Sequence, residues 1–454
     1  VVITMKLTFY GGARWVTGAN YLLDTGAAKI LIDCGLFQGR KYAEDLNYQP
    51  FQYHPAEIDL VLITHSHIDH IGRLPKLYKE GFRGRVYTTT ATRNLMAVAL
   101  PDNMRRIQEE AEQDGHPALF EESDLAGLLP LIEGVEYGQI LDLGGVKVVF
   151  RDAGHILGSA IIEIVAAGQR IAFSGDLGNF PNLLLNPPAV PEAADYLVVE
   201  SAYGDRTHEA REERQIKLTE IIAETIKRRG VLLIPSFAME RTQELLFELN
   251  EFFNQKKIFN IPVFLDSPLA INLTAVYKKH SGYFNERAMH LIQSGDDIFN
   301  FPMLKMTPTV EESKVINDMP APKIIIAGSG MSHGGRILHH EQRYLSDPNT
   351  TILFVGYQVD GSLGRHIQRG DKEVTIFGQR VPVNCRIENI TSYSGHADQL
   401  QLVSWVKHVN IGNQLKRVFV VQGEAAAAKT LANLISEQVG VDAIAPEENE
   451  GFEL

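Results

Sequence analysis

The densest group of reactive side chains lies in the run Thr64-His65-Ser66-His67-Ile68-Asp69-His70, which directly follows the apolar segment Leu60–Ile63. Three imidazoles and a carboxylate at the end of a strand serve no evident packing purpose, because each would need its own partner once buried. Imidazole nitrogens and carboxylate oxygens are ligands that zinc accepts where thiolates are scarce, and this chain has only 2 cysteines. The run therefore predicts a metal site, with a solvated His-rich loop as the alternative.

Three further positions offer the same ligand types, each after a probable strand. They are His155, Asp176 and His396, and each directly follows a glycine. Taken singly, such a residue is more often part of a turn or of the core. Taken with the run, these residues supply enough ligands, in divergent directions, for two metal ions.

Short β-branched segments bounded by Gly, Asp or Asn must position these residues. The segments that read as strands include Lys29–Asp33, Leu60–Thr64, Ala160–Val165 and Ile171–Ser174. The stretch Thr92–Gln113 has apolar residues at helical spacing and predicts an amphipathic helix. The first 200 residues are therefore expected to be mostly strands with helices between them.

After Glu200 the pattern changes to an alternation of helices and strands. The buried run Val231–Pro235, the helical stretch Glu240–Phe253 and the apolar run Lys323–Ala327 are examples. This alternation is typical of a parallel α/β unit, which predicts a second domain.

Length and composition narrow the class of protein. The 454 residues suggest two or three domains, and 44% apolar with 22% charged residues is typical of a globular chain. No apolar run reaches the roughly 18–20 residues of a membrane span, so no membrane partner is expected. The scarcity of cysteine fits a reducing compartment and predicts a cytoplasmic protein.

The net charge of −13 argues against nucleic acid as a partner, because phosphate binding usually leaves a basic footprint. The charge is unevenly distributed, however: residues 205–365 carry 19 Lys+Arg and 20 Asp+Glu. A nearly neutral middle is compatible with a local basic groove but does not predict one.

From Met5 onward, the order of these motifs resembles the β-CASP group of the metallo-β-lactamase fold, which contains RNA- and DNA-processing nucleases. Asp33 matches the first motif, the His65–His70 run the second, His155 the third and Asp176 the fourth. The three motifs specific to the β-CASP group match Glu200, His366 and His396. The chain looks like a short prokaryotic relative of the nuclease subunit of the pre-mRNA cleavage and polyadenylation machinery.

The resemblance implies an α/β fold: a metallo-β-lactamase αββα sandwich with an inserted α/β β-CASP domain. It implies three segments, namely residues 1–204 and 366–454 of the metal-binding domain and residues 205–365 of the insertion. It also implies the metal ligands: His65, His67 and His155 on one zinc, and Asp69, His70 and His396 on the other, with Asp176 bridging the two. Asp33 would orient ligands from behind.

The implied activity is that of a zinc-dependent ribonuclease. A hydroxide held by two zinc ions would attack an RNA phosphodiester and leave 5′-phosphate and 3′-hydroxyl ends, in RNA processing or decay. Asp33 and Asp69 would belong to the catalytic machinery, and Glu200 with His366 could protonate the leaving group. The alternatives are that Glu200 is a strand-end acid paired with Arg206 or Arg241, and that His366 is an ordinary helix-start residue.

Single-stranded RNA is the expected substrate, because RNA-processing members of the group carry a histidine at the motif of His396. Candidate substrate-binding residues are Ser394, Arg336 and Arg241. The glycine-rich segment 328–336 could bring backbone amides close to phosphates, or could simply permit turns. Endonucleolytic and 5′-exonucleolytic cleavage both remain open, and the final segment could form a homodimer.

Two other functions compete with the ribonuclease. A dizinc hydrolase of a small phosphodiester or thioester would suit the net negative charge. A non-catalytic RNA-binding subunit is also known in this group, but such members tend to lose metal ligands, and none is missing here.

Overall fold

The structure is a computed structural model that describes residues 5–39, 44–209, 211–255, 261–356, 358–359 and 361–454. The predicted segments 1–204 and 205–365 thus include a few residues outside the described ranges. The chain divides into two compact units. The first contains Val1–Thr207 and His396–Leu454, and the second contains His208–Gly395.

Within the described residues, the first unit is built on two seven-stranded sheets. In spatial order, one sheet consists of β22 (Gly451–Glu453), β1 (Lys6–Gly11), β2 (Asn20–Asp24), β3 (Lys29–Ile32), β4 (Leu60–Leu62), β5 (Arg85–Thr89) and β6 (Ile132–Val135). The other consists of β21 (Ala443–Ile444), β20 (Arg417–Val421), β11 (Tyr196–Glu200), β10 (Gln169–Phe173), β9 (Ala160–Ala166), β8 (Lys147–Asp152) and β7 (Ile140–Asp142).

Alternation along the strands places apolar side chains on both faces of each sheet. In β3, Ile30 and Ile32 pack into the core between the sheets, whereas Leu31 packs against the helices outside. In the second sheet, Ile162 faces the same inner core and Ile161 packs on the outer helices. Each such aliphatic side chain contributes roughly 1.5–3 kcal/mol by leaving water. The result is the four-layer αββα arrangement that the resemblance predicted.

The helices of the first unit form the outer layers. Their ranges are Ile68–Ile71, Leu74–Lys79, Thr90–Asp114, Glu122–Leu128, Gln399–Val409 and Ala425–Val439. The helix Thr90–Asp114 begins where the Thr89 hydroxyl accepts a hydrogen bond from the Thr92 amide, and it ends at Gly115 with φ +74°.

The second unit contains a six-stranded sheet in which every neighbouring pair is parallel. Its spatial order among described residues is β14 (Leu304–Met306), β13 (Val263–Asp266), β15 (Lys323–Ala327), β12 (Val231–Pro235), β16 (Thr351–Phe354) and β19 (Arg386–Asn389). A separate antiparallel hairpin joins β17 (Glu373–Ile376) to β18 (Gln379–Pro382). Its helices are Arg211–Arg228, Arg241–Asn254, Pro268–Lys279, Glu286–Gln293, Val310–Val315, Ile337–Tyr344 and Leu363–Gln368.

The two units divide the chain differently from the predicted segments. Strand β19 pairs with β16, so residues 366–395 pack with the second unit, and the chain returns to the first unit at His396. The predicted division at residue 366 relied on the position of a motif, whereas strand pairing sets where a compact unit ends. The domain assignment itself stays a prediction.

Among the described residues, no helix combines the length and the apolar character that crossing a membrane requires.

Candidate metal centre

The ends of several strands of the first unit carry the predicted metal ligands. The His65–His70 run follows β4, and His67 immediately precedes the short helix Ile68–Ile71. His155 follows β8 and Asp176 follows β10, whereas Glu200 is the last residue of β11. His396 reaches the same unit through an isolated backbone bridge to Gly178. Residues far apart in the chain therefore meet at one edge of the sandwich.

One group of ligand atoms comes from His65, His67, His155 and Asp176, whose atoms all lie within 4.8 Å of one another. His67 Nδ1 lies 3.1 Å from His65 Nε2 and 3.2 Å from His155 Nε2. Asp176 Oδ2 lies 3.4 Å from His65 Nε2 and 3.6 Å from His155 Nε2. This group matches the predicted ligands of one zinc together with the predicted bridging carboxylate.

His70, the last residue of the predicted run, lies close to both Asp176 and Asp69. Its Nε2 lies 3.4 Å from Asp176 Oδ1 and 3.7 Å from Asp69 Oδ2. On the far side of the ring, His70 Nδ1 lies 2.8 Å from Asp33 Oδ2. The two ring nitrogens thus face different carboxylates, and Nε2 is directed towards Asp69 and Asp176.

Asp33 is held where it can orient this ring. It is buried and has φ +57°, in the left-handed region that few non-glycine residues adopt. The Thr64 amide and the Thr64 hydroxyl each donate to its carboxylate over 2.8 Å. A carboxylate at His70 Nδ1 keeps the proton on that nitrogen and leaves the Nε2 lone pair available.

Glu200 and His396 form a second group with Asp176, again within 4.8 Å. His396 Nδ1 lies 3.1 Å from Glu200 Oε2 and 3.8 Å from Asp176 Oδ2. Burial alone would lower the pKa of His396, but the carboxylates of Glu200 and Asp176 raise it to about 9. Burial raises the pKa of Glu200, whose Oε1 accepts a 2.5 Å hydrogen bond from the Leu177 amide.

The donor atoms at this edge fit a metal. The Nε2 atoms of His65 and His155 both approach His67 Nδ1, so three ring nitrogens converge on one region, where a cation could accept a lone pair from each of them. Burial lowers the pKa of His65 well below its usual value and favours the neutral imidazole that binds metal. Asp176 Oδ1 is buried and accepts no hydrogen bond from any described residue.

The three comparisons with known proteins match nearly the whole chain. Residues 13–217 match the model of the metallo-β-lactamase superfamily, residues 242–367 that of the Beta-Casp domain, and residues 380–446 that of the Zn-dependent metallo-hydrolase RNA specificity domain. Ribonuclease TTHA0252 of Thermus thermophilus is 38% identical over 432 residues, which cover 95% of this chain and 96% of the relative. The chain belongs to the β-CASP family of metallo-hydrolases.

Two further matches are consistent with this membership. Transcription termination factor FttA of Methanosarcina mazei is 32% identical over 456 residues, covering 96% of this chain and 70% of the relative. A crystal structure of a protein of unknown function from Enterococcus faecalis has a TM-score of 0.59 at 12% identity, covering 99% of this chain and 100% of the other, which shows likeness of fold alone.

Membership in the β-CASP family confirms the predicted family, fold class and metallo-hydrolase activity. The roles assigned to individual residues stay predictions. Glu200 was expected to work with His366, yet its carboxylate contacts His396. His366 lies in the second unit, where its Nδ1 lies 2.9 Å from Asp371 Oδ2. Its side chain is 40% exposed.

The predicted substrate-binding residues have partners within the second unit of this β-CASP chain. Arg336 Nη1 pairs with Asp266 Oδ1 at 2.7 Å, and Arg241 Nη1 pairs with Glu244 Oε2 at 2.7 Å. Ser394 is buried at 9% exposure. These contacts leave RNA binding by the three residues as a prediction.

Sequence reasoning missed Gln422 at the metal centre. Its Nε2 donates to Asp69 Oδ2 over 3.1 Å and lies 3.2 Å from His70 Nε2. The signal was available, since Gln422-Gly423 directly follows the apolar strand β20, much as the other site residues follow their strands. The residue type did not indicate a site residue, because the neutral carboxamide of Gln422 is a weak metal ligand.

Proposed function

We propose that this chain is a zinc-dependent ribonuclease that hydrolyses RNA phosphodiester bonds and leaves 5′-phosphate and 3′-hydroxyl ends. The observation that carries the proposal is the convergence of His65, His67, His155 and Asp176 at a buried edge that other site carboxylates also approach. RNA as the substrate is supported by the match of residues 380–446 to an RNA specificity domain and by a relative named a ribonuclease.

The proposed ligands of one zinc are His65, His67 and His155. Those of the other are Asp69, His70 and His396, and Asp176 would serve both. When bound, two zinc ions supply a nucleophile at neutral pH and neutralise the charge that develops on the phosphoryl oxygens. Asp176 contacts ring nitrogens of His65, His70 and His155, and these contacts support its assignment as a ligand of both zinc ions.

The remaining residues of the site would orient ligands and move protons. Asp33 would hold His70 through Nδ1, and Glu200 would hold His396 through Nδ1. This assignment gives Glu200 a partner different from the one expected from the sequence.

His366 is the proposed proton donor to the departing 3′ oxygen, through Nε2. Its Nδ1 lies 2.9 Å from Asp371 Oδ2 and 2.9 Å from Arg369 Nη2, contacts that hold the ring in place. Hydrogen bonds from Arg369 and His366 lower the pKa of Asp371, so that carboxyl group stays ionised at neutral pH.

The test uses zinc-loaded protein with single-stranded RNA labelled at the 5′ end or, separately, at the 3′ end, beside a DNA copy. His67→Ala is the inactive variant, and His54→Ala, which changes an exposed histidine outside the site, is the matched control. RNA cleavage that survives in His54→Ala and is lost in His67→Ala is the expected result. Ligation of the products to an acceptor that requires a 5′-phosphate tests the end chemistry.

The product sizes distinguish the modes of cleavage. Internal fragments indicate an endonuclease, whereas release of labelled mononucleotide from the 5′ end indicates a 5′-exonuclease. If protein that holds two zinc ions cleaves no RNA, the proposed ribonuclease function is wrong. The proposal that replaces it is a dizinc hydrolase of a small phosphodiester or thioester.

A further inference from the structure

A phenylalanine in a strained backbone conformation forms the tip of the hairpin in the second unit. Strands β17 and β18 are joined by the two-residue turn Phe377-Gly378, because Ile376 pairs directly with Gln379. Both turn residues have positive φ, +49° for Phe377 and +73° for Gly378. Turns of this kind normally place Asn or Asp before the glycine, since these residues tolerate the left-handed conformation. The turn itself therefore does not explain a phenylalanine.

Burial does not explain this phenylalanine either. Phe377 is 54% exposed, whereas the strands beside it place Val374, Ile376 and Val381 in the apolar core of the unit. The ring therefore gains little by leaving water. Backbone conformations of this kind are kept where the surroundings enforce them, and they concentrate at functional sites. The packing of the hairpin alone does not account for an aromatic residue at its tip.

The ring of Phe377 forms a pair with a histidine ring. The His339 imidazole lies 4.7 Å from the Phe377 ring, centroid to centroid, with an angle of 32° between the planes. His339 is exposed and lies on the helix Ile337–Tyr344. Gln342 of the same helix donates from Nε2 to Gln379 Oε1 over 3.0 Å, which joins the helix to the hairpin. Two neighbouring flat side chains are thus exposed on one continuous support.

The charge around this pair is positive, although the whole chain carries −13. Residues 337–343 and 372–382 contain three basic and two acidic side chains, namely Arg343, Lys372, Arg380, Glu341 and Glu373. Glu341 is fully buried, and burial raises its pKa to about 8, so its carboxyl group is chiefly protonated at neutral pH. Glu373 pairs with Arg380 at 3.3 Å, and an exposed pair of this kind is weak. The exposed side chains therefore carry three positive charges against one negative charge.

Flat rings beside cations suit single-stranded nucleic acid. Bases of any identity stack on aromatic faces, and basic side chains attract the phosphates. Arg343 lies one helical turn from His339, so a cation and a ring share one face of the helix. Arg380 has 81% of its side chain exposed and lies three residues from Phe377. The apolar residues beside the tip are buried, so this surface offers a protein partner little apolar area.

The hairpin packs together with the helix that carries the proposed proton donor. Ile367, the neighbour of His366, lies in one apolar cluster with Val374 and Ile376 of β17. Asp371, whose Oδ2 lies 2.9 Å from His366 Nδ1, comes two residues before β17 begins. The four residues of this strand span about 13 Å. An RNA strand with its reacting phosphate at His366 therefore has to extend by a few nucleotides to reach the tip.

We propose that Phe377 and His339 form a stacking site for bases of a single-stranded RNA substrate. Arg343, Lys372 and Arg380 attract the neighbouring phosphates. The inference rests on the proposed ribonuclease function, and it assigns the stacking site to nucleotides a few positions away from the bond that is cleaved. The site adds affinity for long RNA and leaves the chemical step unchanged. It also supplies a basic surface that the acidic composition of the chain did not predict.

The main variant is Phe377→Asn, which removes the ring and suits the turn. Asn-Gly is a preferred sequence for such a turn, so the variant should unfold at the same temperature as the wild type or at a higher one. Loss of a stacked base should nevertheless weaken RNA binding by about 5-fold or more. The matched control is Val315→Asn, at a valine that is 55% exposed on the helix Val310–Val315, and it should bind RNA as the wild type does.

Binding is measured by fluorescence anisotropy with a labelled single-stranded RNA of about 20 nucleotides. For this measurement each full-length chain also carries His67→Ala, which leaves the RNA intact. Zinc-loaded chains without that change give kcat and KM for the same RNA and for one of about 4 nucleotides. Phe377→Asn should raise KM for the long RNA by about 5-fold or more, with kcat and the short RNA unaffected.

Phe377→Trp provides a second variant, because it keeps a flat ring at the tip and should bind the long RNA at least as tightly as the wild type. A folded Phe377→Asn chain that binds long RNA as tightly as the wild type would overturn the stacking site in favour of a protein contact at the tip. An equal loss of binding in Val315→Asn would overturn it as well. RNA that binds through Phe377 but is not cleaved by the zinc-loaded wild type would support the stacking site and overturn the proposed function.

Discussion

Two buried aspartates, one in each unit, have contrasting surroundings. Asp176 in the first unit faces imidazole nitrogens at 3.4–3.8 Å, and its Oδ1 accepts no hydrogen bond from the described residues. Asp266 in the second unit accepts four hydrogen bonds of 2.7–2.8 Å, from Thr307, Ser313, Arg336 and His340. Both carboxylates are buried among cationic or imidazole groups.

The two aspartates differ in whether their carboxylate oxygens already accept hydrogen bonds. Asp266 already accepts a hydrogen bond from each of four side chains, so the cluster holds strands and helices together without a further ligand. The imidazoles around Asp176 instead point their lone pairs at a common region, which a cation can share. Counting unsatisfied acceptors therefore separates a structural carboxylate from a candidate ligand where residue type cannot.

The largest effect is expected from removing the unsaturated carboxylate. Asp176→Ala should lower bound zinc below two per chain and reduce RNA cleavage to background, because the residue contacts both predicted ligand groups. Elemental analysis and the cleavage assay measure the two quantities. Asp266→Ala is the matched control and should retain its zinc. Two zinc ions in Asp176→Ala would refute the contrast between the two aspartates.

Glu200→Gln tests the carboxylate that contacts His396. Cleavage should slow by about 10- to 100-fold, because Glu200 orients the proposed ligand His396 and a carboxamide holds that ring less firmly than a carboxylate does. Bound zinc should remain at two. Single-turnover rates with saturating protein measure the chemical step. Normal rates would remove Glu200 from the mechanism, and loss of zinc would make Glu200 a ligand itself.

Asp266→Ala should chiefly affect stability. The variant leaves Arg336 and His340 without their carboxylate partner, and breaking a buried pair in this way costs about 3–5 kcal/mol. Urea unfolding followed by circular dichroism measures the change on zinc-loaded protein. A loss below about 1 kcal/mol, the scale of an exposed pair, would mean that Asp266 is not the saturated structural group described above.

The stabilisation that Asp266 gains from its hydrogen bonds should also depend on pH, with a smaller effect than that of the alanine variant. Burial alone would raise the pKa of Asp266, but hydrogen bonds led by those of His340 and Ser313 lower it from the usual 3.8 to about 2. Because the folded-state pKa is depressed, the stabilisation is fully present above pH 3.8 and is lost as pH falls through about 2.

The stability difference between the wild type and Asp266→Asn should therefore be constant above pH 4 and shrink towards pH 2. Thermal unfolding of both chains across this range measures it. Protonation of the metal ligands affects both chains equally and cancels in the difference. A difference that does not change with pH would contradict the assignment.

Local sequence patterns were sufficient for many of the elements. Val231–Pro235 and Lys323–Ala327 were predicted as strands and form β12 and β15, because continuous apolar runs identify buried parallel strands. The predicted helix Thr92–Gln113 lies within the observed Thr90–Asp114. The motif residues could be identified for a similar reason, since reactive side chains stand out at strand ends.

Partners between distant residues could not be read from the sequence. Glu200 contacts His396, and Gln422 contacts Asp69, 196 and 353 positions away along the chain. The ion pairs of Arg336 and Arg241 were equally invisible, so both looked free to bind phosphate. Only the folded topology decides which of many available charges become neighbours.

The late position of His396 has a consequence for the growing polypeptide. The His65–His70 run, His155 and Asp176 leave the ribosome early, but His396 and Gln422 come after the whole second unit has been made. Strand β20, which pairs with β11, is also synthesised at that stage. A nascent or prematurely terminated chain that stops within the second unit therefore lacks part of the proposed site and cannot assemble it, however well the first sheets have already formed.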